Sequence, residues 1–219
     1  GYLIVQIYKV GAPSIVVQAI GSLMTYGMNL ILAAFGSAQT VFGIYFKLQS
    51  FVFMPVFGLN NGMVPIIAYN YGAGHKDRVI KTIKHSVAYG VGIMFVGLLA
   101  MHIFPAQLMR MFDAEESLIA IGAPALETIS LSFVFAGFCI VAGSVFQALG
   151  NGVYSMIVSV ARQMCVLLPV AKLLSLSGEV TLIWWAFPIA ELASVLLTSY
   201  FLVRIYRKVI CHIGEPVVQ

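Results

Sequence analysis

The chain has 219 residues, of which 61% are hydrophobic and 9% are charged, and its formal net charge is +4. A soluble domain carries about 25% charged residues, so this composition excludes a water-soluble globular protein and indicates a surface that faces lipid. Stretches such as 87–99 are apolar on every face, which excludes the alternating strands of a membrane β-barrel and predicts an all-α, polytopic membrane protein.

Long gaps between charged residues locate the predicted membrane spans. No Asp, Glu, Lys or Arg occurs at 10–46, 48–75, 85–109 or 128–161. A helix needs about 20 apolar residues to cross the hydrocarbon layer, and the turn sequence at 149–152 divides the last gap. The sequence therefore predicts one domain, residues 1–219, with six transmembrane helices at 10–34, 48–71, 85–104, 118–147, 152–174 and 181–203.

The first predicted span carries a polar stripe. Its members recur at spacings of three and four residues and so share one helical face: Ser14, Gln18, Ser22, Thr25 and Asn29. Polar groups inside a membrane must be satisfied internally or face water. The part of the stripe from Gln18 to Asn29 is predicted to line a cavity that binds substrate. The adjacent Tyr26 is predicted to line the same cavity. The alternative is that these side chains hold neighbouring helices together.

The second predicted span contains two prolines, Pro55 and Pro65, on either side of a Gly-Leu-Asn-Asn-Gly segment. Proline removes a backbone donor and clashes with the preceding turn, which predicts a broken helix at this depth. Broken helices in membranes often line a binding site or act as a hinge. The predicted hinge residues are Pro55, Gly58, Gly62 and Pro65, and the predicted cavity-lining residues are Met54, Asn60 and Asn61. A static kink is the alternative.

Three ionisable residues are predicted in or near the bilayer. Glu127 and Arg162 lie within the fourth and fifth spans, and Glu191 lies near the middle of the sixth. A charged side chain at the helix centre costs roughly 2.5–3.5 kcal/mol on insertion scales, which favours protonation or pairing. All three are therefore candidates for coupling ion movement to transport. Two alternatives remain open: Glu191 pairs with Arg162 and only holds helices in place, or Glu127 lies near the outer headgroups.

Basic residues at the ends of the spans predict the orientation. If the first span starts inside, the inner ends hold eight of them: Lys9, Lys76, Arg78, Lys81, Lys84, Arg204, Arg207 and Lys208. The outer connections hold three: Lys47, Arg110 and Lys172. Short loops rich in Lys and Arg stay in the cytoplasm, so both termini are predicted to be cytoplasmic. The basic charge is assigned to topology, and no nucleic acid is expected as a partner.

The sequence contains no pattern for a metal, a nucleotide or another cofactor. The four histidines are scattered, and no Walker, nucleophile-elbow or dinucleotide motif is present. An enzyme is therefore not predicted, no metal or cofactor is expected, and an ATP-driven pump would need its motor on another chain.

Several segments together resemble the multidrug and toxic compound extrusion (MATE) transporters. The clearest is GLNNGMVPIIAYNYGAG at 58–74, followed by Arg78 and Val79, which is similar to the eighth-span motif of that family. Four further segments are similar to other signatures of the family: FQALG at 146–150, ARQ at 161–163 with Pro169, FPIAE at 187–191 and GAPS at 11–14. The resemblance covers nearly the whole chain, and it is specific as a set.

The resemblance implies a fold, a partner and an activity. Family members have twelve spans in two six-helix lobes that form an inverted V, and this chain resembles the C-terminal lobe. The chain starts at Gly1 without a methionine, so a fragment is expected, with the N-terminal lobe missing. The implied activity is that of a secondary-active antiporter in the bacterial plasma (inner) membrane. It would export cationic or amphipathic drugs in exchange for sodium ions or protons, by alternating access.

One departure from the family concerns the coupling acids. Some members carry an acid in the first span of this lobe or in the middle of the fourth, whereas this chain has none at 10–46 or 133–147. The coupling acids of the complete protein could therefore lie in the missing lobe, which leaves the assignment to Glu127 or Glu191 open.

Two other functions remain open at this stage. A lipid-linked oligosaccharide flippase of related architecture would line its cavity with several basic residues, of which only Arg162 is available here. A non-transporting membrane scaffold would suit an isolated lobe, which cannot enclose a substrate. An in-frame, equally hydrophobic segment upstream of Gly1 would argue against the scaffold.

Overall fold

The fold is taken from a computed structural model that describes the backbone of residues 2–214 and the side chains of residues 8 and 11–214. This part of the chain forms ten α-helices: α1 Tyr2–Leu32, α2 Ala38–Gly72, α3 Lys76–Ile103, α4 Pro105–Arg110, α5 Glu116–Ser130, α6 Phe133–Ala148, α7 Gly152–Val160, α8 Leu168–Ser175, α9 Val180–Ile183 and α10 Ala186–Lys208. A π-helical segment, Ala161–Leu167, joins α7 to α8. No strand occurs in the described range, so the prediction of an all-α protein is confirmed.

Five helical stretches are long and apolar enough to cross a membrane: Gly11–Phe35, Ala38–Gly72, Lys76–Ile103, Gly152–Ser175 and Val180–His212. The bent pair α5 and α6 makes a sixth crossing if the two helices form one span. These stretches occur in the same order as the six predicted spans. The prediction of a polytopic membrane protein is therefore confirmed.

The helices extend beyond the charge-free segments that predict the spans. α2 begins at Ala38 rather than at 48 and includes Lys47, whose ammonium group lies 5.7 Å from the centre of the Phe112 ring. α3 begins at Lys76 rather than at 85. Charge gaps mark the part of a helix within the hydrocarbon, whereas helical hydrogen bonding continues into the headgroup region, where long basic side chains reach water.

The second span is not broken. α2 is a single helix of 35 residues that contains both Pro55 and Pro65, so the prediction of a broken helix is wrong. Each proline removes one backbone donor, but the hydrogen bonds of the flanking turns continue, as membrane helices commonly tolerate. The hinge role of these prolines and of Gly58 and Gly62 stays a prediction.

The fourth span is bent, although it is predicted as one helix at 118–147. α5 and α6 meet at an angle of 48°. At the break, Ser130 Oγ donates to the carbonyl of Glu127 at 2.9 Å, and Ser132 Oγ donates to the carbonyl of Ile129 at 2.6 Å. Hydroxyl groups that bond back to the helix backbone favour bending, which accounts for an interruption at a point where no proline occurs, since Pro124 lies within α5 before the break.

Glycines allow the close approach of α3 and α6. Gly90 and Gly137 are both buried, and a methyl group on Gly137 would lie 3.0 Å from the carbonyl oxygen of Gly90. The fully buried side chain of Met94 packs against Gly137. Small residues let helix backbones approach each other in lipid, where packing drives association. This crossing forms part of the core of the bundle.

The crossing predicts unequal effects for two neighbouring glycines of α3. A methyl group on Gly90 would come within 2.6 Å of Val141 Cγ2, whereas one on Gly92 would meet nothing within 4 Å. Gly90→Val is expected to destabilise the protein by about 1–3 kcal/mol through overpacking. Gly92→Val is its matched control and should change stability little. Thermal unfolding of the purified proteins in detergent measures both, and equal losses would contradict the role of the crossing.

Candidate functional site

An ion pair lies inside the bundle between the fifth and sixth spans. Arg162 Nη1 donates to Glu191 Oε2 at 3.2 Å, and the two side chains are 33% and 6% exposed. Arg162 comes from the π-helical segment, and Glu191 from the second turn of α10. Pairing with an opposite charge and protonation are the two ways to lower the free-energy cost of a charged side chain inside the membrane. The structure shows pairing, and only one carboxylate oxygen takes part in it.

Arg162 lies in the π-helical segment of the fifth span. Residues 161–167 form a π-helix between two α-helices, and Pro169 is the second residue after its end. A proline has no backbone N–H, so Pro169 removes one donor from the hydrogen bonds of the preceding turn. π-helical turns inside α-helices are rare and occur frequently at functional sites. Sequence reasoning does not foresee this segment, and its one signal is the proline seven residues after Arg162.

Glu191 shares a buried face of α10 with two hydroxyl groups. Ser194 and Thr198 follow at three and seven residues, and both are buried. Ser194 Oγ donates to Cys139 Sγ of α6 at 3.4 Å. We call Glu191, Ser194 and Thr198 the α10 polar face. In a low-dielectric interior a carboxylate can bind a proton or a small cation, and at Glu191 such a ligand would compete with the Arg162 guanidinium.

Aromatic rings close the bundle beside this face. Phe187, one turn before Glu191 on α10, lies 5.8 Å from the ring of Tyr45 and 6.1 Å from that of Phe42. Both α2 rings are almost fully buried. Phe187 and the two α2 rings thus form an apolar cluster one turn from Glu191, whereas the Arg162 side chain is one third exposed.

Glu127, the third predicted coupling residue, lies apart from the ion pair. It is half-buried in α5, and its carboxylate forms neither a salt bridge nor a hydrogen bond within the described residues. Its backbone carbonyl accepts the hydrogen bond from Ser130. Its role as a coupling residue stays a prediction.

The polar stripe of α1 lies on the outside of the bundle along most of its length. Gln18 and Ser22 are exposed, as is Tyr26 beside them. Thr25 Oγ1 donates to the carbonyl of Gly21 at 3.0 Å, and Asn29 Nδ2 donates to that of Thr25 at 2.9 Å. Both bonds are within α1, so the stripe does not join helices of this bundle through these groups. Its role in binding substrate stays a prediction.

The residues predicted around the α2 prolines are divided between two environments. Met54, Asn61 and the four predicted hinge residues are exposed, whereas Asn60 is buried. Asn60 Oδ1 has no hydrogen-bond partner among the described residues. Adjacent residues on a helix differ by about 100° in direction, so Asn60 and Asn61 do not face the same space.

Comparisons with known proteins relate the chain to one protein family. A family model described as MatE matches residues 13–173. Two similar curated proteins are both called Multidrug export protein MepA. The one from Staphylococcus haemolyticus is 26% identical over 204 residues, which covers 93% of this chain and 45% of that protein. The one from Staphylococcus aureus is 27% identical over 188 residues, which covers 85% of this chain and 41% of that protein. The chain spans about half the length of the curated relatives it matches.

Solved structures show the same relation. The MATE multidrug transporter DinF-BH superposes with a TM-score of 0.82 and 33% identity, over 96% of this chain and 47% of its own. The Vibrio cholerae MATE transporter VcmN in its bent form gives a TM-score of 0.84 at 17% identity, over 95% of this chain and 47% of that structure. An inward-facing MATE family transporter of the MOP superfamily superposes with a TM-score of 0.83 and 18% identity. The match covers 99% of this chain and 50% of that structure. The two more distant likenesses bear on the fold alone.

Proposed function

Because this chain belongs to the MatE family, we propose that it is the C-terminal six-helix lobe, residues 1–219, of a secondary-active multidrug efflux antiporter. An N-terminal lobe of similar size would complete the drug cavity in a twelve-helix, inverted V-shaped transporter. The match over residues 13–173 and the half-length coverage of relatives that are called multidrug export proteins support this proposal. The proposed substrates are small cationic or amphipathic drugs, and the proposed location is the bacterial plasma membrane.

The observation that carries the coupling mechanism is the buried Glu191 carboxylate in contact with Arg162. A proton or a sodium ion that binds Glu191 neutralises its charge and weakens its hydrogen bond to Arg162. One carboxylate in a low-dielectric interior cannot stabilise two cations at once. An ion at Glu191 and the Arg162 guanidinium would therefore compete for the same negative charge, and this competition couples ion binding to the release of Arg162.

The π-helical segment provides a structural element that ion binding can act on. A π-helix has a wider turn than an α-helix, so a local return to α-helical hydrogen bonding rotates Arg162 about the helix axis. Neutralising Glu191 removes the partner that holds Arg162 in its present direction. In the proposed mechanism this local change biases the lobe between outward-open and inward-open states, as alternating access requires.

The exposed face of α1 and α2 is proposed to bind drug together with the second lobe. It combines polar groups, Gln18 and Ser22, with the exposed side chains of Tyr26 and Met54. Adaptable binding surfaces for varied compounds use flexible methionine and aromatic side chains with a few polar groups. In a single lobe this face lies open to its surroundings.

Both termini are proposed to lie in the cytoplasm. The loop after α2 and the segment after α10 lie together at one end of the bundle, where Lys76 Nζ donates to the carbonyl of Cys211 at 2.8 Å. This end carries seven of the twelve Lys and Arg residues of the chain, and basic ends remain on the cytoplasmic side.

Ethidium efflux from a drug-sensitive bacterium tests the proposed function. The complete gene, including any coding sequence upstream of Gly1, is expressed, and loss of ethidium fluorescence is followed with and without a proton or sodium gradient. Efflux that stops when one gradient is removed is expected. Absent efflux, or efflux that is independent of both gradients, would contradict the proposal.

A further inference from the structure

A groove on the outside of the bundle lies between α2 and α3. It has a volume of about 470 Å³, and its main features come from six residues: Gly58, Gly62 and Ile66 of α2, and Lys81, His85 and Tyr89 of α3. The α10 polar face and Arg162 take no part in lining it. It is therefore a separate site from the ion pair.

The inner part of the groove is an apolar trough. A methyl group on Gly58 or on Gly62 would meet nothing within 4 Å, so the missing side chains create its depth. Ile66 and Tyr89 are exposed at its walls. From Gly58 to Ile66 the trough runs along α2 for about 12 Å, at 1.5 Å per residue. This length suits part of an extended hydrocarbon chain.

The end of the groove nearest the 73–75 loop is basic. Lys81 and His85 lie one turn apart on α3, and both are exposed. His85 Nδ1 donates to the backbone carbonyl of Lys81 at 2.7 Å, which holds the ring against its own helix and beside the Lys81 side chain. Lys81 forms no salt bridge among the described residues, and no acidic residue lines the groove. This end therefore suits an anion.

We propose that the groove binds an anionic phospholipid, with the phosphate at Lys81 and one acyl chain in the trough at Gly58 and Gly62. The basic end next to an apolar trough favours an amphiphile with a negative headgroup. A cationic drug would be repelled by Lys81, and a free phosphate would leave the trough empty. The basic end lies on the proposed cytoplasmic side, where anionic lipids attract Lys and Arg near the membrane surface.

Binding of phosphatidylglycerol to the purified protein in detergent, followed by native mass spectrometry, tests the proposal. Lys81→Gln is expected to raise the Kd about fivefold, the effect of one basic residue at a membrane surface. Arg207→Gln, which removes one exposed charge from the same end of the bundle, is the matched control and should leave the Kd nearly unchanged. Equal losses in the two variants would overturn the proposal in favour of general surface charge.

A second variant tests the trough without changing charge. Gly62→Leu would fill the apolar part, and it is expected to fold because nothing lies within 4 Å of the added carbon. It should weaken phosphatidylglycerol binding while the thermal stability without lipid is kept. Unchanged lipid binding in this variant, or competition by glycerol phosphate as strong as that by the intact lipid, would overturn the proposal. Lipid binding is measured without transport, so failure here is distinct from failure of the antiport function.

Discussion

Replacing Glu191 with glutamine is expected to stop ion-driven drug efflux while the protein still folds and reaches the membrane. Glutamine keeps the shape of the side chain and can accept a hydrogen bond from Arg162, but it carries no charge for a proton or sodium ion to neutralise. Arg162 is one third exposed and so is not left fully buried without a partner. Ethidium efflux per molecule should fall about tenfold or more, within the range of typical coupling free energies.

A surface ion pair provides the control for this variant. Arg110 Nη2 donates to Glu116 Oε1 at 2.9 Å, and both side chains are mostly exposed. Glu116→Gln removes the same charge and should leave efflux unchanged. If Glu191→Gln lowers thermal stability but keeps efflux per molecule, the pair only holds helices together. If neither changes, Glu191 has neither role.

Replacing Arg162 with leucine is expected to produce the largest loss of stability. The side chain of its partner Glu191 is 6% exposed and would become a buried carboxylate without a counter-charge. Breaking a buried pair from one side costs about 3–5 kcal/mol, because the remaining charge has lost its solvation. The thermal unfolding of the purified protein in detergent measures the loss.

The double variant Arg162→Leu with Glu191→Gln should recover most of this stability, since both charges are then removed. Arg110→Leu is the matched control at the surface pair, where a loss of about 1 kcal/mol or less is expected. Equal losses for Arg162→Leu and Arg110→Leu, or no recovery in the double variant, would contradict the account of the buried pair.

Hydropathy and charge are enough to predict the class of the protein and the order of its membrane crossings, because each crossing requires a similar length of apolar sequence. The same information does not predict helix ends or bends. Lys47 interrupts the apolar pattern but not α2, since its long side chain reaches the ring of Phe112. Pro55 and Pro65 leave α2 continuous, whereas the bend of the fourth span occurs at serines 130 and 132.

The site was predictable in part. Charge at membrane depth makes Arg162 and Glu191 stand out from the sequence, and their pairing is one of the two alternatives that the sequence leaves open. Periodicity also predicts that Gln18 and Ser22 share a face, but it does not tell whether that face is covered by a neighbouring helix. The π-helical segment escapes sequence reasoning because Pro169 is equally compatible with an ordinary kink.

Drug-dependent ion flux in proteoliposomes is the most direct test of the central claim, that this chain is part of an antiporter. The protein expressed from the complete gene is reconstituted, an ethidium gradient is applied, and proton and sodium movements are followed with separate dyes. We predict that ethidium moving in one direction drives one of the two ions in the other, and that Glu191→Gln abolishes this flux. Ethidium movement accompanied by neither ion would contradict the claim that this chain is part of an antiporter.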